Sequence, residues 1–306
     1  MQEIKGAIIM RSFYQKRHSI GMGMITKYLF DRIERLCNFP RIYTDMPNLK
    51  DLDVALIFGI PYHNSPNIPG GILESDVKII NFYGDLPCYG DKLCEKNKRL
   101  MFERSDVIIG GFYERFLEWY PEFVHKYVFF PGFYFPYERY EKLKINANPI
   151  MKCLLSGANT KFYPFRQYIK TYCTRNARET DKLISIKRRK TVRHEIYHKF
   201  LNTYFCAIAT SGMHNCIVGK YFEIPAAGVL LLAEREKELD MLGFEPDVHY
   251  VPIVRKNIFD QIRKVLKCPE DYTEMRVKAR AFVREYHSDI NRAQQFKTIV
   301  ERLMEC

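Results

Sequence analysis

The 306-residue sequence lacks several features that would each indicate a particular class of protein. No apolar run approaches the roughly 18 to 20 uncharged residues that a membrane span needs. The nine cysteines are widely scattered, and no two form a C-x-x-C pair. Cys88 and Cys94 are the closest neighbours, and their spacing fits no common zinc site. We therefore expect reduced cysteines and no structural metal in a cytoplasmic protein.

The N-terminus also lacks the pattern of a secretory signal. Residues 1–6 lead directly into a short strand-like segment, residues 7–10, whereas a signal peptide needs a longer apolar region and a small-residue cleavage site. The sequence shows no internal repeat and no low-complexity tract. With 47% apolar and 14% aromatic residues, the chain can instead build cores for two domains.

The first half reads as short apolar strands alternating with helical stretches. Runs of strand length occupy residues 7–10, 54–58, 77–82 and 107–109, and residues 24–36 have helical apolar spacing. Such alternation predicts an α/β domain whose parallel sheet carries helices on its faces. We place this domain at residues 1–135.

A second alternating series follows a polar segment at residues 138–149, which we interpret as an interdomain linker. It predicts a domain over residues 150–287, and a last helix over residues 288–306. Strands are expected at 153–155, 205–209 and 229–233, and helices begin near 164, 193 and 273, with another ending near 227. Two open α/β units of this kind bind ligands in the cleft at the carboxyl ends of their strands.

The segment from Gly219 to Ala233 carries the most chemical information. Lys220 and Glu223 stand three residues apart, so they share one face if the segment is helical. Gly228 would end that helix, and a buried strand follows. A cation for phosphate and a carboxylate for ribose hydroxyls would suit a sugar nucleotide at the edge of a parallel sheet.

A glycine-containing loop follows the first predicted strand of the second half. Ser156 and Gly157 follow the first strand, and Arg166 comes in the first turn of the next helix. Backbone N–H groups of such a loop can meet phosphate, and an arginine can bind a diphosphate with two parallel hydrogen bonds. Gly21 and Gly23 precede an earlier helix but lack the third glycine of a dinucleotide fingerprint; they form either a ligand-contacting loop or a plain turn.

Residues 194–198 match the H-E-x-x-H pattern of zinc proteases. Their surroundings are cationic, and His214 does not stand at the spacing of a third ligand. A surface helix therefore explains the match better than a metal site.

Residues 161–200 contain twelve Lys or Arg and three acidic residues, a net charge of +9. Such a segment attracts anions, including nucleic acid, acidic lipid or the phosphates of a small ligand. The run Lys187–Lys190 is accompanied by no recognised nucleic-acid-binding motif. A non-catalytic nucleic-acid or anion-binding α/β protein stays open as the alternative function.

Taken together, these segments resemble glycosyltransferases of the GT-B fold, in particular the CgeB-like, or "glycosyltransferase family 1", branch. The signature K-x-F-E-x-x-A-x-G corresponds to Lys220–Gly228, and S-G-x-x-x-x-x-Y-P-x-R corresponds to Ser156–Arg166. Shorter matches are 242–244, 251–253 and 286–293. The resemblance covers about residues 151–300.

The resemblance implies two Rossmann-like domains with parallel sheets facing across a cleft, the first for the acceptor and the second for the donor. The helix at 288–306 would cross back to the first domain. Glu223 would hold the ribose hydroxyls, and Lys220 and Arg166, beside Gly157, the diphosphate. Cations and helix N-termini would replace a metal in stabilising the leaving diphosphate.

The expected enzyme is a metal-independent, cytoplasmic glycosyltransferase without a cofactor. It would move a hexose or deoxyhexose from a nucleotide diphosphate to a glycan or another hydroxyl acceptor. No nucleic-acid partner is expected, although the positive charge is compatible with peripheral contact with an anionic membrane.

One position departs from the related retaining enzymes. They often carry a further glutamate eight residues before the ribose-binding one, where this chain has Asn215. The role of that glutamate cannot be transferred, so the stereochemistry stays open.

The catalytic base is also open. Asp85 follows a predicted strand, where a loop carboxylate would face the cleft, although an aspartate before Leu-Pro also forms turns. His63 is the second candidate, and His18 and Asp106 are weaker ones. An inverting enzyme requires such a base, and a retaining one does not require it in that place.

Overall fold

The computed structural model describes residues 4–12, 22–61, 67–158, 160–187 and 194–305. The chain forms two compact units: unit 1 comprises residues 1–132 and 289–306, and unit 2 comprises residues 133–288. Each unit is an α/β structure built on one parallel sheet. None of the helices within the described residues is both long and apolar enough to span a membrane.

Unit 1 contains a six-stranded sheet in the order β2-β1-β3-β4-β5-β6, and every pairing is parallel. Its strands are β1 (Gly6–Met10), β2 (Arg41–Tyr43), β3 (Val54–Phe58), β4 (Lys78–Phe82), β5 (Val107–Gly110) and β6 (Tyr127–Phe129). Its helices are α1 (Met22–Cys37), α2 (Lys92–Arg104) and α3 (Tyr113–Trp119), with a 3₁₀ turn at Pro121–Lys126.

The central strands of unit 1 are buried over their whole length. All five residues of β1 and of β3 are buried, as expected when helices cover both faces of a parallel sheet. The apolar runs at 7–10, 54–58, 77–82 and 107–109 are therefore confirmed as strands, within one or two residues. The edge strands β2 and β6 have three residues each, too few to give a periodic signal.

The last helix of the chain, labelled α12 below, completes unit 1. It covers Asp289–Glu305 and packs on α1. The buried Asp289 carboxylate accepts a hydrogen bond from Arg32 Nε at 2.9 Å, and the rings of Phe39 and Phe296 meet edge to face. The core of unit 1 thus includes residues from both ends of the chain.

Unit 2 contains a five-stranded parallel sheet in the order β11-β10-β9-β7-β8. Its strands are β7 (Ile150–Ser156), β8 (Ile184–Lys187), β9 (Tyr204–Ala209), β10 (Leu230–Ala233) and β11 (Val251–Pro252). Its helices are α4 (Tyr137–Tyr140), α5 (Pro164–Arg175), α6 (Ala177–Thr180), α7 (Tyr197–Asn202), α8 (Lys220–Ala226), α9 (Lys237–Met241), α10 (Ile258–Lys267) and α11 (Thr273–Tyr286), and α12 follows in unit 1.

Two segments of unit 2 differ from the sequence-based expectation. The segment 138–149, interpreted as a linker, belongs to unit 2: α4 lies at its start, and Tyr140 is buried in the core beside Phe135. The expected helix from residue 193 is divided into a 3₁₀ turn at His194–Ile196 and a separate helix, α7. His198 of the H-E-x-x-H match lies against the ring of Tyr140, with ring centroids 5.5 Å apart.

The strand order of unit 2 has its topological switch point between β7 and β9. From β7 the chain moves outward to β8, returns past β7 to β9, and continues outward in the other direction. Helices that follow two such strands lie on opposite faces of the sheet, and open α/β sheets bind ligands at the carboxyl ends of the strands at such a switch point. Ser156 ends β7 and Ala209 ends β9.

Candidate functional site

The candidate site lies in unit 2, at the carboxyl ends of β7 and β9. Gly157 follows β7 directly and has a φ of +117°, a conformation that other residues rarely adopt. A Cβ built on Gly157 would lie 2.6 Å from Lys220 Nζ and 2.8 Å from Arg166 Nη1. The glycine therefore allows two cationic side chains to converge on the main chain after β7.

Arg166 is held in this position by three groups. It lies in the first turn of α5, which Pro164 opens, and only 4% of it is exposed. Its Nη1 donates to Ala158 O at 2.9 Å and its Nε to Thr210 Oγ1 at 3.2 Å, while the guanidinium stacks on Tyr163 with Cζ 4.0 Å from the ring centroid. Burial lowers the pKa of Arg166, and the nearby tyrosines and Glu234 oppose this shift.

Arg166 has no carboxylate partner within 4 Å among the residues that the structure describes. A buried charge is costly unless it is paired. The N-terminus of α5 adds the positive end of a helix dipole at the same place. The arrangement around Gly157 is therefore suited to an anion.

Lys220 and Glu223 lie on α8, as the sequence predicted. The helix begins at Lys220 and ends just before Gly228, whose φ of +73° is the left-handed conformation of a helix C-terminus. Pro225 stands inside the last turn, where the Ala227 N–H bonds Glu223 O and the Gly228 N–H bonds Pro225 O. This tightened turn leads directly into β10.

Glu223 is 8% exposed and lies beside a small recess. The other residues that line the recess are Pro136, Arg139, Tyr140, Tyr197 and His198. Burial first, and then the charge of Glu223, raises the pKa of Tyr140. Within the described part of the chain, the buried Nδ1 of His198 has no hydrogen-bond partner. Burial, together with Arg139 and Lys199, lowers the pKa of His198.

The sequence reasoning missed two polar positions of the site, Thr210 and Glu234. Each follows an apolar strand, β9 or β10, and so stands at the same sheet edge as Gly157. Glu234 Oε2 accepts hydrogen bonds from Ser211 N at 2.9 Å and Ser211 Oγ at 3.2 Å. Burial raises the pKa of Glu234, and the bonds from Ser211 and the charges of Arg255 and Arg166 oppose this shift. Both residues could have been found from the sequence, because each is the first polar residue after a predicted apolar strand.

Asn215, at the position of departure from the retaining enzymes, lies in an exposed turn. Its φ is +59°, and its N–H donates to Gly212 O at 3.1 Å. Asparagine adopts this left-handed conformation more readily than most residues.

The candidate bases belong to unit 1. Asp85 follows β4 at the carboxyl edge, is partly exposed, and accepts a hydrogen bond from Tyr89 at 3.3 Å. Asp106 instead precedes β5, where its carboxylate accepts from Ile79 N at 2.7 Å; it lies at the opposite, amino edge of the sheet. This structural role corrects its candidacy as a base. His63 and His18 lie outside the described residues.

Gly21 also lies outside the described residues, whereas Gly23 lies in the first turn of α1, which begins at Met22. Gly23 is thus part of the helix and not of the loop that the sequence suggested. Lys187 of the basic run is exposed at the end of β8, and residues 188–190 are outside the described part of the chain. No cluster of three or more metal-ligating side chains occurs among the described residues.

Comparison with known proteins finds a family match in the second half of the chain. Residues 151–298 match the family described as "Glycosyl transferase-like". No curated protein matches the sequence.

The fold is similar to that of solved glycosyltransferase structures. HepE from Anabaena, in complex with UDP and glucose, has a TM-score of 0.64 and 10% identity, over 97% of this chain and 99% of HepE. Sucrose-phosphate synthase from Thermosynechococcus elongatus has a TM-score of 0.56 and 12% identity, over 94% of this chain and 80% of the synthase.

The pneumococcal O-GlcNAc transferase GtfA, in complex with UDP and GlcNAc, has a TM-score of 0.50 and 11% identity. The match covers 82% of this chain but 57% of GtfA, so the chain spans little more than half the length of that protein.

Proposed function

We propose that this chain transfers a sugar from a nucleoside diphosphate to a hydroxyl group. The chain has the GT-B fold, and its residues 151–298 match a family described as glycosyl transferase-like. Unit 2 binds the donor, and unit 1 provides the acceptor side. The transfer uses no metal ion and no cofactor. The donor sugar is a hexose or deoxyhexose, and the acceptor is a glycan or another hydroxyl compound.

The observation that carries this proposal is the buried guanidinium of Arg166 beside Lys220 and Gly157. The diphosphate of the donor places its negative charge beside Lys220 and the buried guanidinium of Arg166, which has no carboxylate within 4 Å among the described residues. Arg166 has a planar fork of donors for two phosphate oxygens, and Lys220 acts as a point charge on α8. The N–H groups that follow β7 and open α5 add dipoles directed at the same anion.

Glu223 holds the ribose, because its carboxylate accepts hydrogen bonds from two hydroxyl groups and lies one helical turn from Lys220. This spacing matches diphosphate and ribose as neighbours in a nucleotide sugar.

The chemistry follows from this arrangement. The acceptor oxygen forms a bond to the anomeric carbon, and the bond from that carbon to the diphosphate oxygen breaks. The bonding electrons leave with the diphosphate, where Arg166 and Lys220 stabilise the additional negative charge. In an inverting reaction Asp85 would take the acceptor proton; in a retaining reaction that role is not needed.

UDP is the first donor fragment to test. HepE was solved with UDP and glucose and GtfA with UDP and GlcNAc, and both share the fold of this chain. A thermal-shift panel of UDP, GDP, dTDP and CMP compounds identifies the base, since a ligand that binds only the folded state raises Tm. A panel in which no compound raises Tm contradicts a nucleotide-sugar transferase.

Two variants test the residues. Lys220→Ala and Glu223→Ala should each weaken binding of the selected nucleotide by at least tenfold, about 1.4 kcal/mol, in isothermal titration calorimetry. Lys199→Ala and Glu195→Gln, at exposed positions of the same unit, are the matched controls and should leave the Kd unchanged.

The same variants address the alternative function. If the basic segment 161–200 instead bound nucleic acid or another polyanion, Lys220→Ala and Glu223→Ala would leave that binding intact and the nucleotide panel would show no shift. That result would overturn the proposal.

A further inference from the structure

Cys88 and Cys94 form a close thiol pair in unit 1, whereas every residue assigned above to donor binding belongs to unit 2. Cys88 lies in the loop after β4, and Cys94 lies in the first turn of α2. Their Sγ atoms are 2.7 Å apart, with the Cys94 thiol as the donor. Asp91 fixes the turn between them, because its N–H donates to Cys88 O at 3.0 Å and its carboxylate caps Cys94 N at 3.0 Å. Sequence spacing alone did not reveal this contact.

The two sulfurs differ in accessibility and in acidity. Cys88 is partly exposed, and Cys94 is fully buried. The hydrogen bond from Cys94 lowers the pKa of Cys88 against the effect of burial, and the nearby Lys98 ammonium adds to the lowering. The same hydrogen bond, followed by burial, raises the pKa of Cys94. Cys88 is therefore the more acidic sulfur of the pair and the one that solvent can reach.

Lys98 connects the pair to the loop of Asp85. It lies one turn beyond Cys94 on α2 and is 1% exposed. Its Nζ donates to Asp85 O and to Leu86 O, both at 2.7 Å. The buried ammonium thus holds the loop that precedes Cys88 and also supports a thiolate there.

We propose that Cys88 and Cys94 are a thiol–disulfide exchange site, which a small disulfide such as glutathione disulfide converts reversibly into an intramolecular disulfide. The Cys88 thiolate attacks one sulfur of glutathione disulfide, and the S–S bond breaks to release one glutathione thiolate. The Cys94 thiol loses its proton and attacks the Cys88 sulfur, which releases the second glutathione. Two electrons pass from the pair to the oxidant, so that two thiols and one disulfide become one protein disulfide and two glutathione thiols. The exchange reaction itself uses none of the residues assigned to sugar transfer.

The chain contains two internal controls for this proposal. Cys153 on β7 and Cys206 on β9 are also neighbours, paired in register, but both are fully buried and burial raises the pKa of Cys153. These two thiols are close to each other, but a dissolved disulfide cannot reach them. Cys37 is partly exposed like Cys88, but burial raises its pKa to about 11. Solvent can reach the Cys37 thiol, but its surroundings do not stabilise the thiolate form.

The experiment uses the full-length folded protein in glutathione buffers of increasing oxidised fraction at neutral pH. Samples are quenched with acid, alkylated and mapped by peptide mass spectrometry. A Cys88–Cys94 disulfide should form, two hydrogens lighter than the dithiol, and should disappear when reduced glutathione is restored. Cys153 and Cys206 should become alkylated only after denaturation, and Cys37 should form a mixed disulfide at least tenfold more slowly than Cys88 reacts.

Two variants resolve the order of attack. Cys94→Ser should stop the reaction at a mixed disulfide of Cys88 with glutathione, and Cys88→Ser should leave Cys94 reduced. The proposal is overturned if Cys88 and Cys94 stay reduced in wild type while Cys37 reacts. It is equally overturned if Cys153 and Cys206 oxidise at the same ratio, because the pair would then have no selective reactivity.

Discussion

At the scale of single residues, Gly157 combines a left-handed backbone conformation with close contact to two cationic side chains. Gly157→Ala puts a Cβ within 2.6 Å of Lys220 Nζ and 2.8 Å of Arg166 Nη1, at a φ of +117°. The flexible lysine can move away, so the chain should still fold, at a strain cost on the order of 1–3 kcal/mol. The displaced cations should raise the Kd of the selected nucleoside diphosphate at least tenfold in calorimetry.

Gly90→Ala is the matched control for Gly157→Ala. Gly90 also has a positive φ, +86°, but a Cβ there would meet nothing within 4 Å. It carries the backbone strain without the displaced cations, so its Kd should equal that of wild type. An unchanged Kd in Gly157→Ala would show that the two cations do not bind the nucleotide at this place.

Glu234 should make stability depend on pH. Burial raises the pKa of the folded carboxyl above that of the unfolded chain. The stabilisation contributed by its protonated form is therefore fully present below the unfolded value, about 4.3, and is lost as pH rises through the folded value. Glu234→Gln keeps an oxygen for Ser211 and cannot ionise, so wild type should gain stability relative to this variant as pH falls.

Urea unfolding of both proteins between pH 7.5 and 4 measures this difference. Glu234→Ala is the comparison, because it leaves Ser211 N without its partner and should cost about 1–3 kcal/mol across the whole range. A wild-type protein that loses stability relative to Glu234→Gln on acidification would contradict the raised pKa.

At the scale of elements, helix α8 shows which features follow from local sequence. The spacing of Lys220 and Glu223 predicts one helical face, and Gly228 predicts the end of the helix; the structure contains both. These features depend on neighbours within one or two turns, which a single sequence displays. The apolar runs of the central strands were readable for the same reason.

Strands and contacts that lack a local sequence pattern could not be predicted. The edge strands β8 and β11 are short and pair on one side only, so no periodic pattern marks them. Thr210, which accepts a hydrogen bond from Arg166, and Glu234 stand at the same sheet edge because β9 and β10 are neighbours in the sheet. No single segment of the sequence reveals this strand order. The contact of Cys88 with Cys94 depends on a turn whose geometry Asp91 sets.

At the scale of the whole molecule, both ends of the chain belong to unit 1. Phe296 of α12 is fully buried and meets Phe39, and the Asp289 carboxylate is bonded by Arg32. The sequence placed a last helix after residue 287, and the resemblance implied its return to the first domain. Which side chains it buries there could not be predicted, because Phe39 and Phe296 are more than 250 residues apart.

The two units should therefore respond separately to a core substitution. Phe296→Ala should lower the free energy of unfolding of unit 1 by about 3–5 kcal/mol, the typical cost of removing a buried phenylalanine side chain. The only tryptophan of the chain, Trp119, lies on α3 of unit 1, so its fluorescence in urea reports this unit. Ile290→Ala, at an exposed position of the same helix, is the control and should leave the transition unchanged.

Because every proposed donor-binding residue belongs to unit 2, Phe296→Ala should keep the wild-type Kd for the nucleotide under native conditions. A lost Kd in a variant that is still folded would show that donor binding depends on unit 1 as well.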